Sequence, residues 1–203
     1  LRLELPAPLV ERRFRVEVHE RLNPDGSVRE QLDPASLDAA CDRLEEAGVD
    51  AVGVCLLHAY ANPTHEEAVR ERLLARLPGC AVSLSSEVAP ELKEYERTST
   101  TVANAYVQPL VRRYLATLEA GLQGMGIEAP LHIMLSNGGS CSVDTASRYP
   151  VRLVESGPCG GALAAAEWGR RAGLDRVFAF DMGGTTAKSI LSVDGDFPIT
   201  TES

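Results

Sequence analysis

The chain has 203 residues, 44% of them apolar and 5% aromatic. That is enough to bury one large core or two smaller ones, and it excludes a miniprotein that depends on disulfides for want of a core. Twenty Lys and Arg stand against 29 Asp and Glu, a formal charge of −9, and no basic run exceeds two residues; a nucleic-acid-binding surface is therefore not expected.

No uncharged apolar run approaches the roughly 20 residues that cross a bilayer, so no membrane association is expected. Five cysteines, an odd number without CxxC spacing, and the lack of a secretory or transit-type segment read as reduced thiols in a cytoplasmic protein. The chain opens on Leu1 and closes on Thr201-Glu202-Ser203, which reads as a fragment of a longer polypeptide.

In chain order, Phe14, Val16 and Val18 alternate with charged residues, a period of two that predicts a half-buried strand ended by the turn Asn23-Pro24-Asp25-Gly26. From Pro34 the period becomes helical through Leu37, Cys41 and Leu44, with Gly48 at the expected C-cap. A buried strand is expected over Ala51 to Leu57. Thr64-x-x-Glu67 has capping-box spacing before a helix carrying Val69, Leu73 and Leu77, and Ala81 to Ser85 follows as a short strand. Strand, helix, strand, helix, strand predicts an α/β layer with at least partly parallel pairing.

A long helix is predicted over Thr98 to Gly124, kinked at Pro109, with Val102, Tyr106, Leu110, Leu115, Leu118 and Leu122 as its apolar stripe. Leu131 to Leu135 reads as a strand running into Ser136-Asn137-Gly138-Gly139. This loop is either a plain turn or a substrate or interdomain site, since ligand loops lie at strand C-termini in α/β sheets. Ser156-Gly157-Pro158 marks a helix start, where Ser156 and Gly157 serve as a cap or offer amides to an anion. Val177 to Phe180 and Ser189 to Val193 read as strands, Asp194-Gly195-Asp196 as a hairpin turn, and Phe197 to Thr200 as a returning strand.

The segment with the clearest chemistry is Phe180-Asp181-Met182-Gly183-Gly184-Thr185-Thr186-Ala187-Lys188. Gly183 and Gly184 remove side chains so that backbone N–H groups can approach phosphate oxygens, and Thr185 and Thr186 add hydroxyl donors. Asp181, at the strand end, is placed to hold a hydrated Mg²⁺ that bridges those phosphates. A Walker loop or a dinucleotide fingerprint leads into a helix; this loop lies between two strands, as in the phosphate-binding hairpins of sugar kinases, Hsp70 and actin. On geometry alone an ordinary hairpin remains the alternative.

Other groups carry weaker signals. Cys141 and Cys159 read as small buried hydrophobes rather than nucleophiles, His58 and His65 lack a metal-ligand motif, and Glu94 with Arg97 suggests an interdomain ion pair. No GxSxG elbow is present.

The segments LLHAYANPTHEEAV, SSEVAPELKEYERTSTTVANAYVQPLVRRYL, IMLSNGGS, ESGPCGGALAA and FDMGGTTAKSIL, in this order, resemble the hydantoinase A/5-oxoprolinase family, which includes acetone and acetophenone carboxylase subunits. The resemblance runs from about Pro6 to Val193. It implies an α/β fold of the actin-like ATPase (ribonuclease H-like) kind, with parts of two related domains. Residues 1–97 would be the end of the family's N-terminal domain. Residues 98–203 would begin the catalytic domain, with the phosphate hairpin at 181–188.

It also implies ATP and Mg²⁺ as cofactors, phosphorylation of a carbonyl or enol oxygen as the first step, and a cyclic amide or ketone as substrate. A B-type subunit is the implied partner, and a homo-oligomer is compatible with it. The leading function is thus an ATP-dependent cyclic amide hydrolase subunit. The alternatives are an ATP-dependent ketone carboxylase subunit and a noncatalytic nucleotide-binding module. Where oxoprolinase-like members often read GGTSTD, this chain reads GGTTAK, so Lys188 stands at the acidic position and would contact phosphate or carboxylate as a point charge.

Overall fold

The computed structural model of the chain describes residues 7–197. The chain divides into two compact units, Leu1–Met125 with Ser147–Val151, and Gly126–Ala146 with Arg152–Ser203.

The first unit opens with a 3-10 turn, Arg12–Phe14, followed by an extended stretch in which Phe14, Val16 and Val18 are half-buried and their neighbours exposed. The predicted strand is not formed there. Val16 and Val18 pack against the apolar core without ladder partners, so the alternation records burial and not pairing. Instead β1 (Arg21–Leu22) and β2 (Val28–Glu30) pair antiparallel around Asn23-Pro24-Asp25-Gly26. Gly26 sits at φ 82°, and a Cβ there would stand 3.1 Å from the Ala61 carbonyl oxygen, so this turn requires glycine.

Helix α1 (Pro34–Ala47) begins as its sequence directs. Asp33 accepts hydrogen bonds from the amides of Ala35 and Ser36, Pro34 occupies the first turn, and Gly48 closes the helix in the left-handed region. Strand β3 (Ala51–Val54) pairs parallel with β4 (Ala81–Leu84) in register Ala51↔Ala81 to Val54↔Leu84, joined through α2 (Thr64–Arg76). This is the expected βαβ crossover, although β3 stops three residues short of Leu57. The predicted capping box is not made: Asn62 Oδ1 accepts from both the amide and the hydroxyl of Thr64, and the Thr64 side chain does not cap the helix. Leu37, Cys41, Leu44, Val54, Val69, Leu73 and Leu84 form the apolar core of this layer.

After the short helix α3 (Ser85–Val88), α4 runs from Glu94 to Gly124, through Pro109 and four residues earlier than predicted. Its buried face departs further from expectation. Leu115 of the predicted stripe is buried, but Tyr106 and Leu110 are exposed, and the other buried positions are Arg97, Thr101, Asn104, Ala105 and Gln108. The polar members are satisfied by specific bonds. Asn104 Nδ2 donates to Ser83 Oγ and to the Arg148 carbonyl, its Oδ1 accepts from the Val151 amide, and Gln108 Nε2 donates to the Ser147 and Arg148 carbonyls. Gly53 of β3 faces α4, where a Cβ would be in ordinary contact with Thr101 at 3.6 Å.

In the second unit, β5 (His132–Met134) and β6 (Ser140–Ser142) form an antiparallel hairpin, followed by α5 (Val143–Arg148), which leads into the Ser147–Val151 segment of the first unit. Helix α6 (Ser156–Arg171) follows, then β7 (Arg176–Met182) and β8 (Ala187–Val193), antiparallel over seven residue pairs. Asp194 and Gly195, both at positive φ, form the expected two-residue turn between Val193 and Asp196. The predicted return strand Phe197 to Thr200 lies outside the described residues beyond Phe197. Among the described residues no helix is long and apolar enough to cross a membrane, and all five cysteines are free.

Candidate functional site

The Gly-Thr loop lies where the sequence places it, at the tip between β7 and β8. Asp181 pairs with Lys188 and Met182 with Ala187, and the turn is closed by the Gly183 amide donating to the Thr186 carbonyl at 2.9 Å. Directly opposed residues of an antiparallel pair project to the same side of the sheet. Asp181 and Lys188 therefore share a face with Val177, Ala179, Ile190 and Ser192, and Phe178, Phe180 and Met182 occupy the other face.

The Asp181 residue is exposed, and its carboxylate makes no hydrogen bond or ion pair among the described residues. Gly183, Gly184, Thr185 and Thr186 are exposed as well. A Cβ on Gly184 would meet nothing within 4 Å, and one on Gly183 would meet only the Thr186 carbonyl oxygen, at 3.9 Å. The turn is thus open to solvent on its glycine side, with amides and hydroxyls accessible to an anion.

Lys188 is less exposed, and its ammonium forms an ion pair with Glu155. Glu155 precedes α6 and sits in the left-handed region at φ 67° without capping the helix. A non-glycine residue there is strained by its own Cβ, a cost of order 1–3 kcal/mol that the surrounding contacts must offset. Sequence reasoning singled out Ser156 and Gly157 and missed Glu155; the signal available was an acidic residue immediately before a Ser-Gly-Pro helix start. Ser156 does open α6, but no side chain caps it.

Helix α6 supports both glycine loops. Gly169 lies against β7 so closely that a Cβ would overlap Val177 Cγ2. At the other loop, Ser136-Asn137-Gly138-Gly139 is the tip of the β5–β6 hairpin. The Gly138 amide donates to the Leu135 carbonyl, the Leu135 amide to the Gly139 carbonyl, and the Gly139 amide to Asn137 Oδ1 at 3.0 Å. Gly138 has φ 85°, and its Cα faces Leu163 and Cys159 of α6. The Ser136 amide is held by the Arg152 carbonyl at 2.8 Å. No hydrogen bond or ion pair among the described residues joins this tip to Asp181 or Lys188.

The remaining candidates resolve into structural contacts. His65 Nδ1 is 2.7 Å from Glu20 Oε2, both side chains buried, and His58 Nδ1 is 3.2 Å from the Tyr60 hydroxyl. No group of three or more His, Cys, Asp or Glu among the described residues is arranged to hold a metal. Arg97 makes no ion pair with Glu94. Its guanidinium donates to the Glu91 and Leu56 carbonyls and lies 5.4 Å from the Tyr60 ring centroid, and its Nε lacks a partner. Glu66, fully buried, accepts from the Leu56 and Ser86 amides and from the Ser85 and Ser86 hydroxyls. Burial, reinforced by the Glu66 carboxylate, pushes the Cys55 thiol up to about 11.

The arrangement of elements is that of a segment of large ATP-dependent enzymes. The nucleotide-free structure of acetone carboxylase superposes with a TM-score of 0.85 at 28% identity, over 95% of this chain and 28% of that one. The crystal structure of the ATP-dependent caprolactamase from Pseudomonas jessenii superposes with a TM-score of 0.83 at 34% identity, over 94% and 28%. In sequence, the chain is 35% identical over 187 residues to the caprolactamase subunit alpha of Pseudomonas jessenii, covering 92% of this chain and 27% of the relative. It is 38% identical over 199 residues to an uncharacterized protein of Methanocaldococcus jannaschii, covering 98% and 29%. Residues 97–203 match the hydantoinase/oxoprolinase family and residues 2–77 match that family's N-terminal region. The chain belongs to the hydantoinase/oxoprolinase family, and it spans less than a third of the length of these relatives.

Proposed function

We propose that this chain is the middle segment of an ATP-dependent subunit that hydrolyses a cyclic amide, and that the β7–β8 turn contributes one half of its phosphate site. The observation that carries the reading is Asp181, an exposed carboxylate without an internal partner, opposite Lys188 at the base of an open Gly-Gly-Thr-Thr turn. An unpaired oxygen donor next to free backbone amides fits a hydrated Mg²⁺ and the phosphates it bridges, because Mg²⁺ keeps most of its waters and takes few protein ligands. Asp181 would hold the ion through water. Gly184 would present its amide, and Thr185 and Thr186 their hydroxyls, to the phosphate oxygens, while Gly183, whose amide is held by the Thr186 carbonyl, would contribute close approach by lacking a side chain.

Lys188 would supply a point charge, positioned by Glu155. Bound ATP would provide the phosphoryl group that activates an otherwise unreactive amide carbonyl, a reaction in which positioning and charge neutralisation do most of the work. The Ser136–Gly139 tip, held on the same helix α6, is the proposed substrate or interdomain loop. In this reading residues 1–97 close the family's N-terminal domain and residues 98–203 open the catalytic domain of an actin-like ATPase fold. The protein is cytoplasmic and works with a B-type subunit. The higher sequence identity to caprolactamase than to acetone carboxylase, 34% against 28% over similar spans, favours amide hydrolysis over the ketone carboxylase alternative.

The test is ATP hydrolysis by the longer polypeptide with its partner subunit, offered caprolactam, hydantoin, 5-oxoproline, or acetone with bicarbonate. Stimulation by a cyclic amide is expected. Stimulation by acetone with bicarbonate alone would move the assignment to the carboxylase branch, and no stimulation by any of them would favour a noncatalytic nucleotide-binding module.

A further inference from the structure

A small cavity of about 150 Å³ lies in the first unit, away from the sequence motifs used so far. Its charged walls are Arg70 of α2, Glu87 of α3, Arg112 of α4, and Arg148. Three arginines and one carboxylate thus line the cavity, a local excess of positive charge in a chain whose formal charge is −9. The single carboxylate is shared: Arg70 Nη1 donates to Glu87 Oε1 at 2.6 Å, and Arg148 Nη2 stands 3.7 Å from Glu87 Oε2. Arg112 has no hydrogen bond or ion pair among the described residues.

The wall behind these groups is fixed. Gln108 accepts from Ser83 Oγ and donates to the carbonyls of Ser147 and Arg148, so the backbone that carries Arg148 is anchored to the same helix that carries Arg112. The cavity is smaller than the roughly 300–1,000 Å³ of sites for drug-sized ligands, which excludes a nucleotide but admits an oxyanion of a few atoms. Guanidinium forks match the oxygen spacing of phosphate and carboxylate groups.

We propose that this cavity binds a small oxyanion, phosphate or a short carboxylate, between Arg112 and Arg148, with Glu87 as the internal anion that competes for the same guanidinium groups. The bond from Arg70 keeps Glu87 in place when the ligand draws Arg148 away. This site is independent of the phosphate hairpin, which belongs to the other unit, and the two readings fail separately.

Calorimetric titration of the longer polypeptide that contains this chain, at low ionic strength, tests the proposal, with inorganic phosphate in one arm and succinate in the other. One saturable site is expected in at least one arm, and the arm with the tighter binding identifies the ligand chemistry. Arg112→Ala, a change on an exposed position, is expected to weaken binding by about tenfold, and Glu87→Gln to strengthen it several-fold by removing the competitor. The absence of saturable binding of either anion at about 10 mM would overturn the proposal, since that corresponds to a free energy too small for a built site. Unchanged affinity in both variants would overturn it equally, because the anion would then sit elsewhere.

Discussion

The two units solve the problem of order in opposite ways. The first surrounds its aliphatic core with buried polar groups whose partners are nearly all accounted for: Glu66 accepts four hydrogen bonds, and Asn104 and Gln108 tie α4 to Ser83 and to the backbone at residues 147–151. The second buries mostly small residues, Ala146, Ala162, Ala166, Gly169 and Ser192, and leaves Phe178, Phe180, Met182 and Leu191 exposed. Buried polar networks fix a single arrangement when every member is satisfied, because a lost partner leaves a group stranded in low dielectric. Small residues instead allow backbones to approach, as at Gly169 against Val177. The first unit is thus specified by its polar network, and the candidate chemistry of the second rests on close backbone packing.

Substitutions can break that contrast, and the largest effect is expected at Glu66. Glu66→Ala strands two amides and two hydroxyls, and should cost about 4 kcal/mol in urea unfolding, with partial recovery in Glu66→Gln. Leu73→Ala, which empties a fully buried position beside the parallel strands, should cost about 3 kcal/mol. In the second unit, Gly169→Ala should cost about 2 kcal/mol through overlap with Val177, and the double variant with Val177→Ala should recover part of it. If Gly169→Ala proved neutral, the account of α6 packing would be wrong.

The smallest effect concerns pH. The folded Cys55 thiol is raised from 9.0 to about 11 by burial, so the unfolded chain releases this proton first as pH rises. The stabilisation from keeping the thiol neutral is complete below pH 9 and is lost as pH climbs through 11, at about 1 kcal/mol per pH unit. Cys55→Ala should flatten the fall in unfolding free energy over that window.

What was legible in the sequence follows the same division. Helix α1 could be read to its ends because Pro34 and Gly48 act locally, although the Asp33 cap was not singled out, and the parallel pairing of β3 and β4 followed from the alternation of strand and helix. The turn at Asp194-Gly195 was readable for the same local reason. Phe14 to Val18 misled because a two-residue period reports which side is buried and says nothing about a hydrogen-bonding partner. The stripe on α4 misled more deeply. Beside Ala105 and the expected Leu115, its buried residues are Arg97, Thr101, Asn104 and Gln108, at spacings of four, three and four, and a hydrophobic pattern cannot mark Arg97, Asn104 and Gln108, whose partners include Leu56, Ser83 and residues 147–151.

At the site, the loop and its flanking strands were visible from Asp181 to Lys188. The pairing of Lys188 with Glu155 was not, because it joins residues 33 positions apart through a helix start. The antiparallel partner of β5 was also hidden, since Ser140–Ser142 carries no apolar alternation beyond Cys141.

The central claim is the proposal that Asp181 and the turn beside it contribute to the phosphate site of an ATP-dependent enzyme. Its most direct test is steady-state ATP hydrolysis by the longer polypeptide and its Asp181→Ala variant. Loss of about a hundredfold or more in the variant, with unchanged unfolding free energy, is the predicted result. Wild-type turnover in Asp181→Ala would contradict it.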